Sequence, residues 1–338
     1  MGRLTQPGVY PNAAPGRLAA NIRALDPLRV EPLGASQPPE ALGRRVAIMG
    51  LADDTGVGLN GGRVGAREGP AAFRAALARY GHAVPMDFPS RGLSLPEVFD
   101  AGDIVPADSL EQTHDRVTTV ALALLNAGFL PVGIGGGHDL TFPLVRALLQ
   151  FHASHDQRDW PPPNGVYVDP HLDVRPEPGS GMAFRALLEQ TGLKSLVNIG
   201  ANPLVNSAEH YGWFIEHGGR VEPLPAPDGD LEEGPSGDGD ALTRLMEDAW
   251  FVSLDLDALD ASVAPGVSAP NPEGLSSAAM ARIAHAAGAS LWVGSFDLME
   301  LNPRFDVDGR TARVAAHLFL SFLRGVAERL TGPGIDWP

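Results

Sequence analysis

The stretch GVYVDPHLDVRP, residues 165–176, begins as an apolar run of strand length and ends with Asp169, His171 and Asp173 two apart, Arg175 following at once. In an extended chain, side chains two apart point the same way, so these three line one side of the chain as a strand leaves its sheet. The sequence contains no cysteine. Thiolate zinc sites and iron–sulfur clusters are therefore excluded, and any metal must be held by carboxylate oxygen and imidazole nitrogen, which favours harder divalent ions.

Two further stretches repeat the pattern. In WFVSLDLDALD, residues 250–260, an apolar run reaches Leu254 and then delivers Asp255 and Asp257, again two apart. In FLPVGIGGGHDLTFPLV, residues 129–145, an apolar strand is followed by a glycine turn and by His138 ahead of a helical segment. All three sit where open α/β sheets bind ligands, outside the carboxyl ends of the strands. Four aspartates and two histidines exceed one ordinary site. Shared between two divalent ions, with two aspartates bridging, they give each ion about four protein ligands and leave room for a common water. The charges balance, and a water bridging two such ions ionises near neutral pH to a hydroxide nucleophile.

The rest of the chain supplies the frame. Apolar runs of strand length (RVAIMGLA, FLPVGIGG, GVYVD, SLVNIGA, WFVSLDLD, LWVGSFDLME) alternate with segments of helical period such as HDRVTTVALALLNAGF and TARVAAHLFLSFLRGVAERL. Such alternation predicts an α/β fold, a parallel sheet covered by helices on both faces. Residues 1–44, rich in proline, alanine and glycine, read as an N-terminal arm ordered only where it docks, leaving 45–338 as the body. The acidic, glycine-rich stretch 225–243 reads as a solvated loop.

A net charge of -16 argues against a nucleic-acid surface, so any anion this chain binds must meet a local arginine cluster. The sequence has no apolar run of membrane-spanning length, and its start lacks the apolar core of a secretory signal. No membrane partner and a cytoplasmic location are therefore expected.

GGGHD, DPHLD and SLDLDALD resemble, in order and interval, the three metal-binding signatures of the ureohydrolase (arginase and agmatinase) superfamily. GVGLNGGRVGAREGPAAFRAAL (56–77) resembles its N-terminal segment and SFDLMELNPRFDVDGRTARVAAHL (295–318) its closing one. The resemblance implies a single three-layer α/β/α domain around a mostly parallel, about eight-stranded sheet, a binuclear manganese centre and a homo-oligomer. Carried across, the metal ligands are His138, Asp169, His171, Asp173, Asp255 and Asp257, with Asp169 and Asp255 as bridges. Within the superfamily, NGGRVGAREGP, GGGH, DVRP and SGMAFR are most similar to formimidoylglutamases, which cleave N-formimidoyl-L-glutamate to glutamate and formamide in histidine degradation. Where arginases and agmatinases carry a His-Gly after the second motif, this chain has Ser180-Gly181; Pro170 replaces the usual alanine, and Met182-Ala183 a Thr-Pro or Ser-Pro.

The chemistry of that substrate fits. A cationic amidine at one end needs a buried anion, and two carboxylates at the other need arginines. Glu300 matches the family glutamate that pairs with an amidine or guanidine, and Arg175 and Arg185 flank the second metal motif. Asn60 and Arg63 from the N-terminal loop and Ser180 complete the expected substrate contacts. The resemblance makes Asp173 the proton carrier between the attacking hydroxide and the departing amine. The competing expectations are an agmatinase-like or guanidinoacid enzyme that releases urea, and a non-catalytic metal-binding relative. For ANPLVNSAEHYGWFIEHGG, residues 201–219, a packed helix is expected.

Overall fold

The computed structural model describes residues 3–11, 13–32, 42, 45–81, 95–154, 161–223 and 239–329. Among these residues ten strands form one sheet: β1 (Thr5–Gln6), β2 (Arg23–Ala24), β3 (Arg45–Gly50), β4 (Glu97–Ile104), β5 (Leu130–Ile134), β6 (Asn164–Val168), β7 (Ser195–Ile199), β8 (Gly219–Glu222), β9 (Ala249–Asp255) and β10 (Ser295–Met299). Their order is β1-β4-β3-β5-β10-β9-β6-β7-β8, with β2 also on β4. From β4 to β8 every pairing is parallel. These eight strands are the expected parallel sheet. The two extra ones come from the arm, where β1 runs antiparallel and β2 parallel to β4. They cover an edge that would otherwise expose unpaired backbone.

The central strands are buried along their length and read as near-continuous apolar runs, as expected of a parallel sheet packed on both faces. Helix α1 (Thr55–Leu59) follows β3, and one face of the sheet carries α2 (Gly69–Leu77), α8 (Ser277–Ala289) and α9 (Arg310–Arg329), packed through Phe73, Ile283, Phe319 and Phe322 onto Ile48, Val252 and Phe296. The other carries α3 (Leu110–Asn126), α4 (Thr141–Ala153), α5 (Ala183–Gln190) and α6 (Ala208–Glu216), packed through Val117, Leu144, Phe184 and Phe214 onto Met49, Tyr167 and Phe251. Alternation along each strand directs successive side chains to the two cores.

The stretch 201–219 contains the expected helix, α6, capped by the Ser207 side chain, which accepts from His210 N–H at 3.1 Å. Residues 239–243, expected as the end of a solvated loop, instead open helix α7 (Gly239–Glu247), and residues 225–238 lie outside the described part. No helix among the described residues is long and apolar enough to cross a membrane.

Candidate metal centre

Four adjacent strands, in the order β5-β10-β9-β6, end side by side, and each delivers part of one cluster. His138 follows β5, Glu300 follows β10, Asp255 ends β9 with Asp257 just beyond, and Asp169 follows β6. The glycine run after β5 lets the chain turn there. Gly135 and Gly136 hold φ of 75° and 77°, and a Cβ on Gly136 would lie 2.1 Å from the Leu51 carbonyl oxygen. The turn points His138 back over the strand ends.

His138 Nδ1 lies 3.0 Å from Asp169 Oδ2, 3.0 Å from Asp255 Oδ2 and 3.2 Å from Asp173 Oδ2. None of the three is aligned as a hydrogen-bond acceptor, and Nδ1 and Asp169 Oδ2 are both buried without a hydrogen-bond partner among the described residues. Convergence of one imidazole lone pair and three carboxylates on a common point is the geometry of a cation site, because buried charges of one sign need a counter-ion. Ligand atoms of these four residues lie within 4.8 Å of one another, and those of His171, Asp255 and Asp257 form a second such group. Asp255 belongs to both. Asp169 also reaches both histidines, its Oδ1 being 3.2 Å from His171 Nδ1. Together they have the donor set and the sharing that two divalent ions require.

The surroundings orient these groups. His138 Nε2 is 2.9 Å from Ser253 Oγ, which donates to Asp297 Oδ1 at 2.5 Å; Thr141 Oγ1 donates to Asp297 Oδ2 at 3.0 Å. A hydroxyl whose proton goes to a carboxylate must accept from the ring, so Nε2 carries the hydrogen and Nδ1 keeps the lone pair. Asp255 Oδ1 accepts the Asp257 N–H at 2.7 Å, and Asp257 Oδ2 accepts the Ala269 N–H at 3.2 Å. Burial, then the charge on Asp169, pushes Asp255 up to about 6, and burial raises Asp257 and Asp173 as well. Burial acts the same way on Asp169, but the His138 and His171 rings outweigh it and hold that carboxyl below the usual range. His171 loses by burial and gains more from Asp169, ending near 9.

Glu300 stands over the cluster with φ of 64°; Asp173 has φ of 49°. Left-handed backbone is rare for such residues and costs free energy unless the surroundings impose it, which is common where side chains must be aimed. The His138 N–H donates to Glu300 Oε1 at 2.9 Å, while Oε2 is buried without a hydrogen-bond partner among the described residues. Burial, then Asp255, raises Glu300 to about 8. A cationic, N–H-bearing ligand group would relieve both the missing bond and the buried charge.

The expected substrate contacts separate. Asn60 Nδ2 lies 3.4 Å from Ser180 Oγ, and the Arg175 side chain passes close to Gly181, so Asn60, Arg175 and Ser180 gather at one place. Arg175 is exposed, and its guanidinium has no partner among the described residues. Arg185 is half-buried, bound through Nε to Glu189 at 3.0 Å and laid over the Trp213 ring at 4.4 Å. Arg63, expected to meet substrate, is engaged elsewhere. It donates to the Val267, Ser268 and Pro265 carbonyls and stacks on Phe305, which makes it a tie for the 265–268 loop.

Sequence reasoning passed over Ser253 and Asp297. A signal existed, since Asp297 is an acid inside the apolar strand β10 and Ser253 shares strand alternation with Asp255.

The family model of the arginase family matches residues 44–324. The chain belongs to the arginase family. Among its relatives, formimidoylglutamase of Geobacillus thermodenitrificans is 36% identical over 306 residues, covering 85% of this chain and 86% of that one. Formimidoylglutamase of Ralstonia nicotianae is 32% identical and covers 94% and 96%. Among solved structures, formiminoglutamase of Trypanosoma cruzi with two Mn2+ superposes with a TM-score of 0.72 at 31% identity, covering 89% of this chain and 99% of that one.

Proposed function

We propose that this protein hydrolyses N-formimidoyl-L-glutamate to L-glutamate and formamide with two manganese ions. The ions would be held by His138, Asp169, Asp173 and Asp255 on one side and by His171, Asp169, Asp255 and Asp257 on the other, with Asp169 and Asp255 shared. The observation that carries this reading is the pair of overlapping His–carboxylate groups with the unpartnered Glu300 Oε2 beside them. The metal-loaded formiminoglutamase structure and the formimidoylglutamase relatives support the choice of ion and substrate.

When bound, two such ions lower the pKa of a shared water towards neutrality and neutralise the buried carboxylates. The residues of this chain do the rest. Glu300 Oε2 accepts an N–H of the amidine and fixes its carbon, Oε1 staying on the His138 N–H. Addition of water to that carbon and rupture of its bond to the glutamate nitrogen leave formamide. The proton released by the water must reach the departing amine. Asp173, with its side chain 13% exposed where Asp169 and Asp255 have 0% and 2%, faces outward enough to carry it. Arg175, with Asn60 and Ser180 next to it, would receive one substrate carboxylate, and Arg185, bonded to Glu189 through Nε, would offer its Nη groups to the second.

The same reading takes residues 45–338 as one metallohydrolase domain with 1–44 as its arm, in a cytoplasmic homo-oligomer acting in histidine breakdown. The deciding experiment is product analysis with manganese-loaded protein, offering N-formimidoyl-L-glutamate beside agmatine, arginine and 4-guanidinobutyrate. Formamide and glutamate from the first alone support the proposal. Urea from any of the others, with the first inert, overturns the substrate and moves the enzyme to the guanidine-cleaving branch.

A further inference from the structure

The turn Asp169-Pro170-His171-Leu172-Asp173 carries three of the six expected ligands and has no regular secondary structure of its own. Its backbone polar groups must therefore be satisfied by something else. Asn198, fully buried at the end of β7, donates through Nδ2 to the Asp169 and His171 carbonyls, both at 3.1 Å, and accepts the Ala201 N–H at 2.7 Å. Asn206 donates through Nδ2 to the Pro170 carbonyl at 2.7 Å and the Asn202 carbonyl at 2.8 Å, and accepts the Leu172 N–H at 2.9 Å. The Asn202 N–H adds a second bond to the Pro170 carbonyl at 2.8 Å, and Tyr167 Oη donates to the Leu172 carbonyl at 3.0 Å.

Both amides are oriented without ambiguity, because each Nδ2 faces only carbonyls and each Oδ1 faces only a backbone N–H. Every carbonyl from 169 to 172 thus has a donor. Proline at 170 offers no N–H, so no donor is stranded between the ligands. Asn198 grips the two peptides whose side chains are ligands. Asn206 grips the two that flank His171.

We infer that Asn198 and Asn206 are positioning residues that hold this turn in ligating geometry, so that the segment after β7 governs metal retention. The inference rests on the reading of Asp169, His171 and Asp173 as ligands. Because Asn206 bonds on both sides of His171, its loss should loosen the group of His171, Asp255 and Asp257 before the group around His138.

Substitution of fully buried Asn198 endangers the fold, so half-buried Asn206 carries the test. Full-length Asn206→Ala, Asn206→Asp and the ligand variant His171→Ala are compared with the native protein. The readouts are Mn2+ bound per chain after dialysis, Mn2+ dissociation constants by chelator competition, and the metal-free melting temperature. Asn206→Asp keeps an acceptor for the Leu172 N–H but sets a second oxygen against two carbonyls. Expected are metal-free melting temperatures lowered modestly by the hydrogen bonds lost, with one ion held about tenfold more weakly in both Asn206 variants and its partner little changed. Native Mn2+ affinity in both Asn206 variants, with His171→Ala depleted, overturns the inference and leaves the ligand assignment intact. Two tightly held ions in His171→Ala overturn the ligand assignment and the inference with it.

Discussion

The backbone N–H of His138 donates to Glu300 Oε1 at 2.9 Å, tying the residue that begins the metal cluster to the carboxylate that stands over it. Glu300 N–H is bonded in turn to the Gly136 carbonyl at 3.0 Å, so the two strand ends are stitched in both directions. Glu300→Gln keeps an oxygen for the His138 N–H but puts an amide NH2 where the unpartnered Oε2 now stands. That group cannot accept from an amidine and carries no charge. Since Glu300 is outside both metal groups, two ions per chain should remain while kcat/KM falls by about 10²–10³-fold, the scale for one misplaced electrostatic partner. Steady-state kinetics with metal analysis of the same sample checks it, and a metal-depleted variant would show that Glu300 acts on the ions instead.

Arg175 and Arg63 should respond in opposite ways. The Arg175 guanidinium has no partner among the described residues, so Arg175→Ala should cost no stability but raise KM for the dicarboxylate substrate by about 10–100-fold, the worth of a hydrogen bond to a charged group. Arg63 bonds three carbonyls of the 265–268 loop, and Arg63→Ala should lower stability by about 1–3 kcal/mol through acceptors left unmet. Kinetics and urea denaturation of the two variants, side by side, separate the roles.

The candidate site was legible because its proposed ligands lie at strand ends with two-residue spacing, a pattern carried by consecutive sequence. His138, Asp169, Asp255 and Asp257 could be placed without knowing strand order. Strands β4 and β8 escaped because neither reads as an apolar run. EVFDAGDI holds Asp100 and Asp103 inside the sheet by pairing them with Arg74, a partner far away in sequence, and GRVE is a half-exposed edge strand. Arg63 marks a limit of such reading. Its place in the N-terminal loop made it a candidate substrate contact, whereas the carbonyls it meets lie some 200 positions further on, and only the fold brings them there.

Metal-free protein should grow less stable as pH rises. Burial raises Asp255 to about 6 and Glu300 to about 8, with Asp173 and Asp257 shifted the same way, and the carboxylates around His171 raise it to about 9. Groups with a folded pKa above the unfolded one bind more protons when folded, so their contribution is present at low pH and lost as pH climbs through roughly 6 to 9. Asp169, held low, is ionised throughout this range and leaves the slope unchanged, while His317, lowered by burial, opposes it. Protons and ions compete for the same ligands, so manganese should restore most stability at the alkaline end. Melting curves of metal-free and metal-loaded protein between pH 5.5 and 9 read both trends, and a metal-free melting temperature that rises with pH contradicts the argument.

Far from the centre, Arg74 closes the junction between arm, α2 and β4. Its Nε and Nη2 bond the two oxygens of Asp100 at 2.7 and 2.9 Å, its Nη1 reaches Asp103 at 2.5 Å, and Tyr10 of the arm donates to the same Asp100 at 2.5 Å. Arg74 and Asp100 are both buried. Arg74→Met keeps the volume but strands buried carboxylates, which costs about 3–5 kcal/mol. Burial already raises Asp103 against the pull of Arg74. Without that pull its folded pKa climbs further above the unfolded value, so the deficit should be largest at pH 8 and shrink as pH falls towards 5.5 and the carboxyl is protonated. Urea denaturation at both values measures it. A deficit independent of pH would assign the loss to packing of the guanidinium stem, since apolar contact does not titrate.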